Sequence, residues 1–302
     1  MAEQTAAQPF APVTDRVPTR SLSIRGQERL MAGIATAILV LGLTVVLFPL
    51  FWMLSTSLKG EIEALKIPPN WIPKSFQWVN YRDALTHNPF GTYFRNTFYF
   101  AGMVVIGEVL SNSFIAYGFA RLRAPGRNVL FIMVLATLMV PAEVTIIPTY
   151  VLFANLPGQW LNTYNPLIIP AWLGSAYLIF LLRQFYLGIP FEYDESARLE
   201  GASRFGIWWR IILPLSKPAL GAVAIMSFIF HWNTFQGPLI YINDNDKFPV
   251  SLGLSMFRTP FGGTPQHWYM AASLAVIAPC IVVFFIAQRY FIQGIVVSGV
   301  KG

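Results

Sequence analysis

Long apolar runs alternate with short polar stretches along this chain, and the runs are of membrane-spanning length. Leu30 to Leu58 contains no charged residue. That length exceeds the apolar core of a signal peptide and suffices for an uncleaved spanning helix. A second run, 96–120, carries only Glu108, and between Arg127 and Arg183 the only charge is Glu143. The latter interval has room for two spans, 128–155 and 165–186, parted near Pro157-Gly158 and Asn162 to Pro166. Further runs fill 218–242 and 267–290. The pattern predicts an all-α integral membrane protein with six transmembrane helices. Residues 1–29 are polar, contain Pro9, Pro12 and Pro18, and read as a disordered tail ahead of a membrane domain over 30–302.

One charged island interrupts the apolar pattern, between residues 190 and 217, with Glu192, Asp194, Glu195, Arg198, Glu200, Arg204, Arg210 and Lys217. It predicts two short helices joined by a glycine hinge. Pro190 suits a first helical position, and Asp194 and Glu195 favour the positive end of the helix dipole. The spacing of Asp194 and Glu195 to Arg198 predicts a polar face laced by ion pairs. Gly201 breaks the run where positive φ is tolerated. Phe205, Trp208, Trp209 and Ile212 then recur at helical spacing, a stripe expected to be buried, before Pro214 and Pro218 end the helix.

Composition narrows the class. Residues are 55% hydrophobic and 12% charged, with a mean hydropathy of +0.53, against about 25% charged in soluble domains. The net charge of +7 is dispersed among loop ends, so it points to basic cytoplasmic loops and not to nucleic acid. With the N-terminus inside, the inner segments hold 14 of the 21 lysines and arginines and the outer loops 7. That bias puts the island and both termini in the cytoplasm. Cys280 is the single cysteine, and His87, His231 and His267 are too scattered for a metal site. No glycine is followed by lysine, so the phosphate-cradling loop of an ATPase is missing and the chain is not expected to be an enzyme.

The island carries a more specific signal. Glu195-Ser-Ala-Arg-Leu-Glu-Gly201, followed by Ile211-Ile-Leu-Pro214, resembles the EAA loop of the membrane subunits of ATP-binding-cassette importers. Ser196 stands for the usual first alanine and Glu200 for the usual aspartate. The stretches Ala116-Tyr-Gly-Phe-Ala-Arg121 with Pro125-Gly-Arg127, Met139-Val-Pro141 with Glu143 and Pro148, Trp232-Asn233 with Phe235 and Pro238-Leu239, and Gly299-Val-Lys-Gly302 look like the carbohydrate branch, specifically the maltose-type second membrane subunit. The resemblance implies a cytoplasmic helix-turn-helix coupling loop over 190–217 that enters an ATPase cleft and transmits its closure. Glu195, Ala197, Glu200, Gly201, Ala202, Phe205, Leu213 and Pro214 would carry that coupling. It also implies a second permease subunit, two cytoplasmic ATP-binding subunits that hold ATP and Mg, an extracytoplasmic sugar-binding protein and a prokaryotic cell membrane. No cofactor is expected on this chain.

Polar groups inside the spans are the candidates for the pathway. Glu143, Trp232, Asn233 and Gln236 offer hydrogen bonds beside aromatic faces, which suits sugars; helix–helix contacts by Asn233 and His231 are the plainer use. Glu108 and Glu143 are costly within a membrane. They fit ion sites of a stand-alone secondary transporter, the competing reading, or pair with polar neighbours. A permease for glycerol-phosphate looks alike at this level.

Overall fold

The computed structural model describes residues 24–257 and 263–299. The tail up to residue 23 and the end of the Gly299-Val-Lys-Gly302 motif lie outside the described residues. All regular elements among the described residues are helical. The first helix, α1 (Ile24–Ser57), begins ahead of the boundary predicted at residue 30, because no proline between Pro18 and Pro49 interrupts it. Residues 24–29, assigned to the tail by composition, are therefore helical.

Contacts divide the chain after Phe51. The described part of the first unit is the α1 stretch, whose apolar side chains, such as Ile38, Leu39 and Val46, are exposed as hydrocarbon-facing groups would be. The second unit holds α2 (Val79–His87), α3 (Phe90–Arg121), α4 (Arg127–Ala136), α5 (Ala142–Asn155), α6 (Asn165–Ala171), α7 (Ala176–Leu187), α8 (Glu192–Leu199), α9 (Arg204–Leu215), α10 (Lys217–Trp232), α11 (Gln236–Tyr241), α12 (Val250–Ser255) and α13 (Gln266–Gly299).

Four segments are long and apolar enough to cross a membrane alone: Glu28–Ser57, Phe90–Arg121, Asn165–Leu187 and Gln266–Ile286. Two bent pairs pass together, Arg127–Met139 with α5 at 98° and α9 with α10 at 80°. The predicted span 128–155 is thus broken at Val140-Pro141, where proline removes a helical donor. The predicted span 218–242 also differs. Its helix stops at Trp232 and restarts at Gln236, with Asn233 and Thr234 side chains bonding the Ile229 and Phe230 carbonyls.

Helix α3 lies at the centre of the second unit, packed against α6, α7, α10 and α12. Around its Arg121 end, Ala116, Tyr117, Leu182, Tyr186, Trp208, Ile212 and Val223 form one buried cluster. Around its Phe90 end, Phe90, Tyr93, Trp232, Val250, Phe257 and Ala271 form another. Beyond the second cluster, Asn162 clasps two loops together. Its side chain accepts from the Asn243 and Asp244 N–H groups and donates to Asp244 Oδ2 at 2.6 Å. The Asn162 amide, with Lys247, holds the Asp244 carboxyl below its usual pKa.

Close approach at Gly253 gives a test of this packing. A Cβ there would lie 2.3 Å from Cδ2 of Tyr93, a fully buried ring. Gly253→Ala should destabilise the purified chain by about 1–3 kcal/mol, read as a lower thermal midpoint in detergent. Gly102→Ala, where a methyl meets no atom within 4 Å, should leave the midpoint unchanged or raised.

Candidate functional site

The charged island forms the predicted pair of helices, and its turn is specified residue by residue. Helix α8 begins with Glu192, Asp194 and Glu195 in its first turn. It ends in a Schellman closure: Gly201 N–H bonds the Arg198 carbonyl and Ala202 N–H bonds the Ala197 carbonyl, at 3.0 and 2.9 Å. Gly201 has φ +83°, the left-handed conformation that closure needs. Ser203 then caps α9, its Oγ accepting from Gly206 N–H at 3.1 Å.

The island turns one face to the membrane helices. Asp194 and Ala197 are buried on α8, and Ile207, Trp208 and Ile212 on α9. The expected stripe is corrected here: Phe205 and Trp209 are exposed. For Trp209 the reason is a π turn over Trp208–Ile212, whereas Phe205 lies in the regular turn ahead of it. The wider π turn brings residues five apart, Ile207 and Ile212, onto one face in place of the three-and-four spacing. Trp208 Nε1 donates to Ser113 Oγ at 3.0 Å, and Ser113 shares a 2.8 Å bond with Tyr186 OH. These bonds join α9, α3 and α7.

Asp194 is not on a laced surface face. Its Oδ2 lies 3.2 Å from Arg121 Nη1, with side-chain exposures of 2% and 0%. Arg121 Nη2 also donates to the Ile189 carbonyl at 2.6 Å, and the guanidinium lies over the Phe191 ring. Among the described residues neither Asp194 nor Glu195 pairs with Arg198 within ion-pair distance. Burial raises the Asp194 pKa above the ordinary aspartate value, against the lowering effect of Arg121 and Arg198. Sequence spacing missed this partner because Arg121 lies on another helix; its sole signal was an arginine closing an apolar span.

Of the residues singled out for coupling, Glu195, Glu200, Gly201, Phe205 and Pro214 are exposed, Ala202 and Leu213 half-buried and Ala197 buried. The open face also shows Tyr193 and, at 91% exposure, Leu199. A depression of about 460 Å³ runs between Tyr193, Ser196, Glu200 and Ile211.

The candidates within the spans are not gathered into one site. Glu143 is exposed in the first turn of α5. Trp232 is buried among Phe94, Phe98 and Phe228, its Nε1 donating to the Val276 carbonyl at 3.0 Å. Asn233 and Gln236 are exposed at the α10–α11 break. The structure does bring together Glu108 and His231, 3.3 Å apart on α3 and α10. Among the described residues no group of three His, Cys, Asp or Glu could hold a metal ion.

Comparison with known proteins agrees with this architecture. A family model described as the binding-protein-dependent transport system inner membrane component matches residues 112–297. The arabinooligosaccharides transport system permease protein of Bacillus subtilis (strain 168) is 36% identical over 264 residues, covering 85% of this chain and 91% of the relative. The sn-glycerol-3-phosphate transport system permease protein of Pectobacterium atrosepticum is 34% identical over 267 residues, covering 86% and 94%. A solved bacterial ABC transporter involved in import of the acidic polysaccharide alginate has a chain of the same fold, with TM-score 0.77 and 20% identity over 94% of this chain and 100% of that one.

The buried pair generates a pH-dependent prediction. Arg121→Ala leaves the Asp194 carboxylate uncompensated and should cost about 3–5 kcal/mol near neutral pH. A carboxyl whose folded pKa is raised favours folding most below its ordinary pKa, and that contribution is lost as pH rises through the folded value. The deficit of Arg121→Ala should therefore be smallest in acid and grow with pH. Thermal midpoints of variant and wild type across pH check this; a deficit that widens in acid contradicts it.

Proposed function

Because the chain belongs to the family of binding-protein-dependent transport system inner membrane components, we propose that it is one of two membrane subunits of an ATP-driven importer for a sugar or related small polar solute. In this reading it forms half of the translocation pathway and docks a cytoplasmic ATP-binding subunit through residues 190–217. A second permease subunit, two ATP-binding subunits carrying ATP and Mg, and an extracytoplasmic solute-binding protein complete the machine. Both termini face the cytoplasm. The solute class rests on the relatives, whose names specify arabinooligosaccharides and glycerol-3-phosphate.

The observation that carries the docking role is the two-sidedness of the island. One face is fastened to α3 and α7 by Asp194–Arg121 and by Trp208–Ser113–Tyr186. The other shows Tyr193, Leu199 and Phe205 beside Glu195 and Glu200. Apolar side chains this exposed outside the bilayer suit a protein contact. A partner that moves the open face also moves the anchored one, so motion of the ATPase reaches the central helix. The energetic content is a coupling between two sites, with no covalent step in this chain.

Gly201 tests the dock. A Cβ there meets no described atom within 4 Å, so substitution acts through backbone conformation. Gly201→Val should strain the turn by about 1–3 kcal/mol, leave membrane levels normal, and weaken ATPase association or solute-stimulated hydrolysis. Gly201→Asn, which tolerates the left-handed region, should retain most of both. Wild-type pull-down and hydrolysis in Gly201→Val would return the island to a plain connecting loop.

Orientation is checked separately. In a Cys280→Ala background, Leu199→Cys should react with an impermeant maleimide only from the cytoplasmic side and Asp246→Cys only from outside. Reversed labelling would rule out the island as an ATPase dock.

A further inference from the structure

A cavity of about 300 Å³ opens where α3, α7 and α10 meet, lined by Glu108, Ser175, Tyr177, Ser227, Phe230 and His231 among others. Its size lies at the small end of ligand sites, roughly 300–1,000 Å³. The Glu108–His231 contact at 3.3 Å would serve as helix-to-helix glue, but glue does not account for Ser227. A hydroxyl side chain inside a helix commonly bonds the carbonyl one turn back, as Thr97 does to Tyr93 at 2.8 Å. Ser227 is 3% exposed, and among the described residues its hydroxyl has no hydrogen-bond partner. An unmatched buried hydroxyl is a cost unless something supplies the missing bond.

The lining defines the chemistry of that missing partner. A carboxyl, an imidazole and three hydroxyl-bearing side chains surround the space, and Phe230 beside it is 70% exposed. Neutral polyols donate and accept hydrogen bonds in alternation and present C–H faces to apolar and aromatic groups, and this lining, with Leu178 and Met226, offers partners of both kinds. No lysine or arginine lines the cavity. A phosphate ester would meet the Glu108 carboxyl with no cation from lysine or arginine to balance it.

We propose that this cavity is a subsite for one neutral sugar unit of the transported solute and that it discriminates against phosphate-bearing solutes. The proposal rests on the importer reading above. It separates the two solute chemistries named for the relatives, in favour of the saccharide.

The test uses the full chain purified with its co-expressed partner subunits in nanodiscs, carrying Cys280→Ala and Ser175→Cys. The rate of Ser175→Cys modification by a small methanethiosulfonate is followed with L-arabinose, arabinobiose, D-glucose or maltose, and with sn-glycerol 3-phosphate. At least one neutral sugar should slow modification, and glycerol phosphate should not. Adding Ser227→Ala removes an oxygen that makes no internal bond, so folding is not at stake. It should raise the protecting concentration about tenfold, the worth of one hydrogen bond. Protection by no sugar, equal protection by glycerol phosphate, or an unchanged protecting concentration in Ser227→Ala would each overturn the subsite. If an ATPase subunit co-purifies and hydrolyses ATP in those cases, the importer reading survives its loss. If no ATPase subunit co-purifies, the importer reading falls and the subsite with it.

Discussion

The guanidinium of Arg121 lies fully buried at the end of the central helix, and a charge so placed must be matched within reach. The match comes from one short stretch of chain: the Ile189 carbonyl, the Phe191 ring and the Asp194 carboxylate. Taking two charges out of water costs several kcal/mol per ion, and their attraction largely offsets that cost. The pair therefore adds little net stability, but misplacing the island leaves an unmatched buried charge. Position is what the interaction enforces.

Two backbone devices then set which way the island faces. The Schellman closure at Gly201 reverses the chain tightly enough for Ala202 and Ala197 to share the same buried cluster. The π turn over Trp208–Ile212 lets Trp208 reach Ser113 while Trp209 and Phe205 stay outside. Opposite the anchored inner face, Tyr193, Leu199 and Phe205 are exposed on the outer one. Anchoring and exposure are two results of one geometry, and a mechanical link between a soluble partner and a membrane helix needs both.

Away from the island, each polar group within the helices raises the question of what satisfies it. At the Phe90 end, Asn96, Thr97 and Tyr93 bind the 245–250 segment, and Tyr164 OH donates to the Lys247 carbonyl. In the middle, Asn112 donates to the Glu108 carbonyl and accepts from Ser175 N–H. Several buried side-chain groups depart from this pattern among the described residues, those of Ser111, Tyr117 and Ser227 with them, and of these Ser227 lies beside the cavity that also holds Glu108 and His231.

The sequence by itself determined the solvent and the class of element. Apolar runs of this length must satisfy their backbone internally, so helices were legible from composition alone. The island was also legible, because Gly201 and the acidic first turn of α8 act through neighbours within five residues. Local chemistry of that kind can be read from spacing. Tertiary structure decided which groups face each other. Asp194 reads as a partner of Arg198 by spacing, yet it pairs with Arg121 on another helix. Phe205 and Trp209 read as core, yet both are exposed, Trp209 within a π turn. Glu108 and His231, far apart in the chain, meet only because α3 and α10 pack side by side. Periodicity measures angle around one helix axis; the choice of neighbour depends on how several axes pack, and that information is not local.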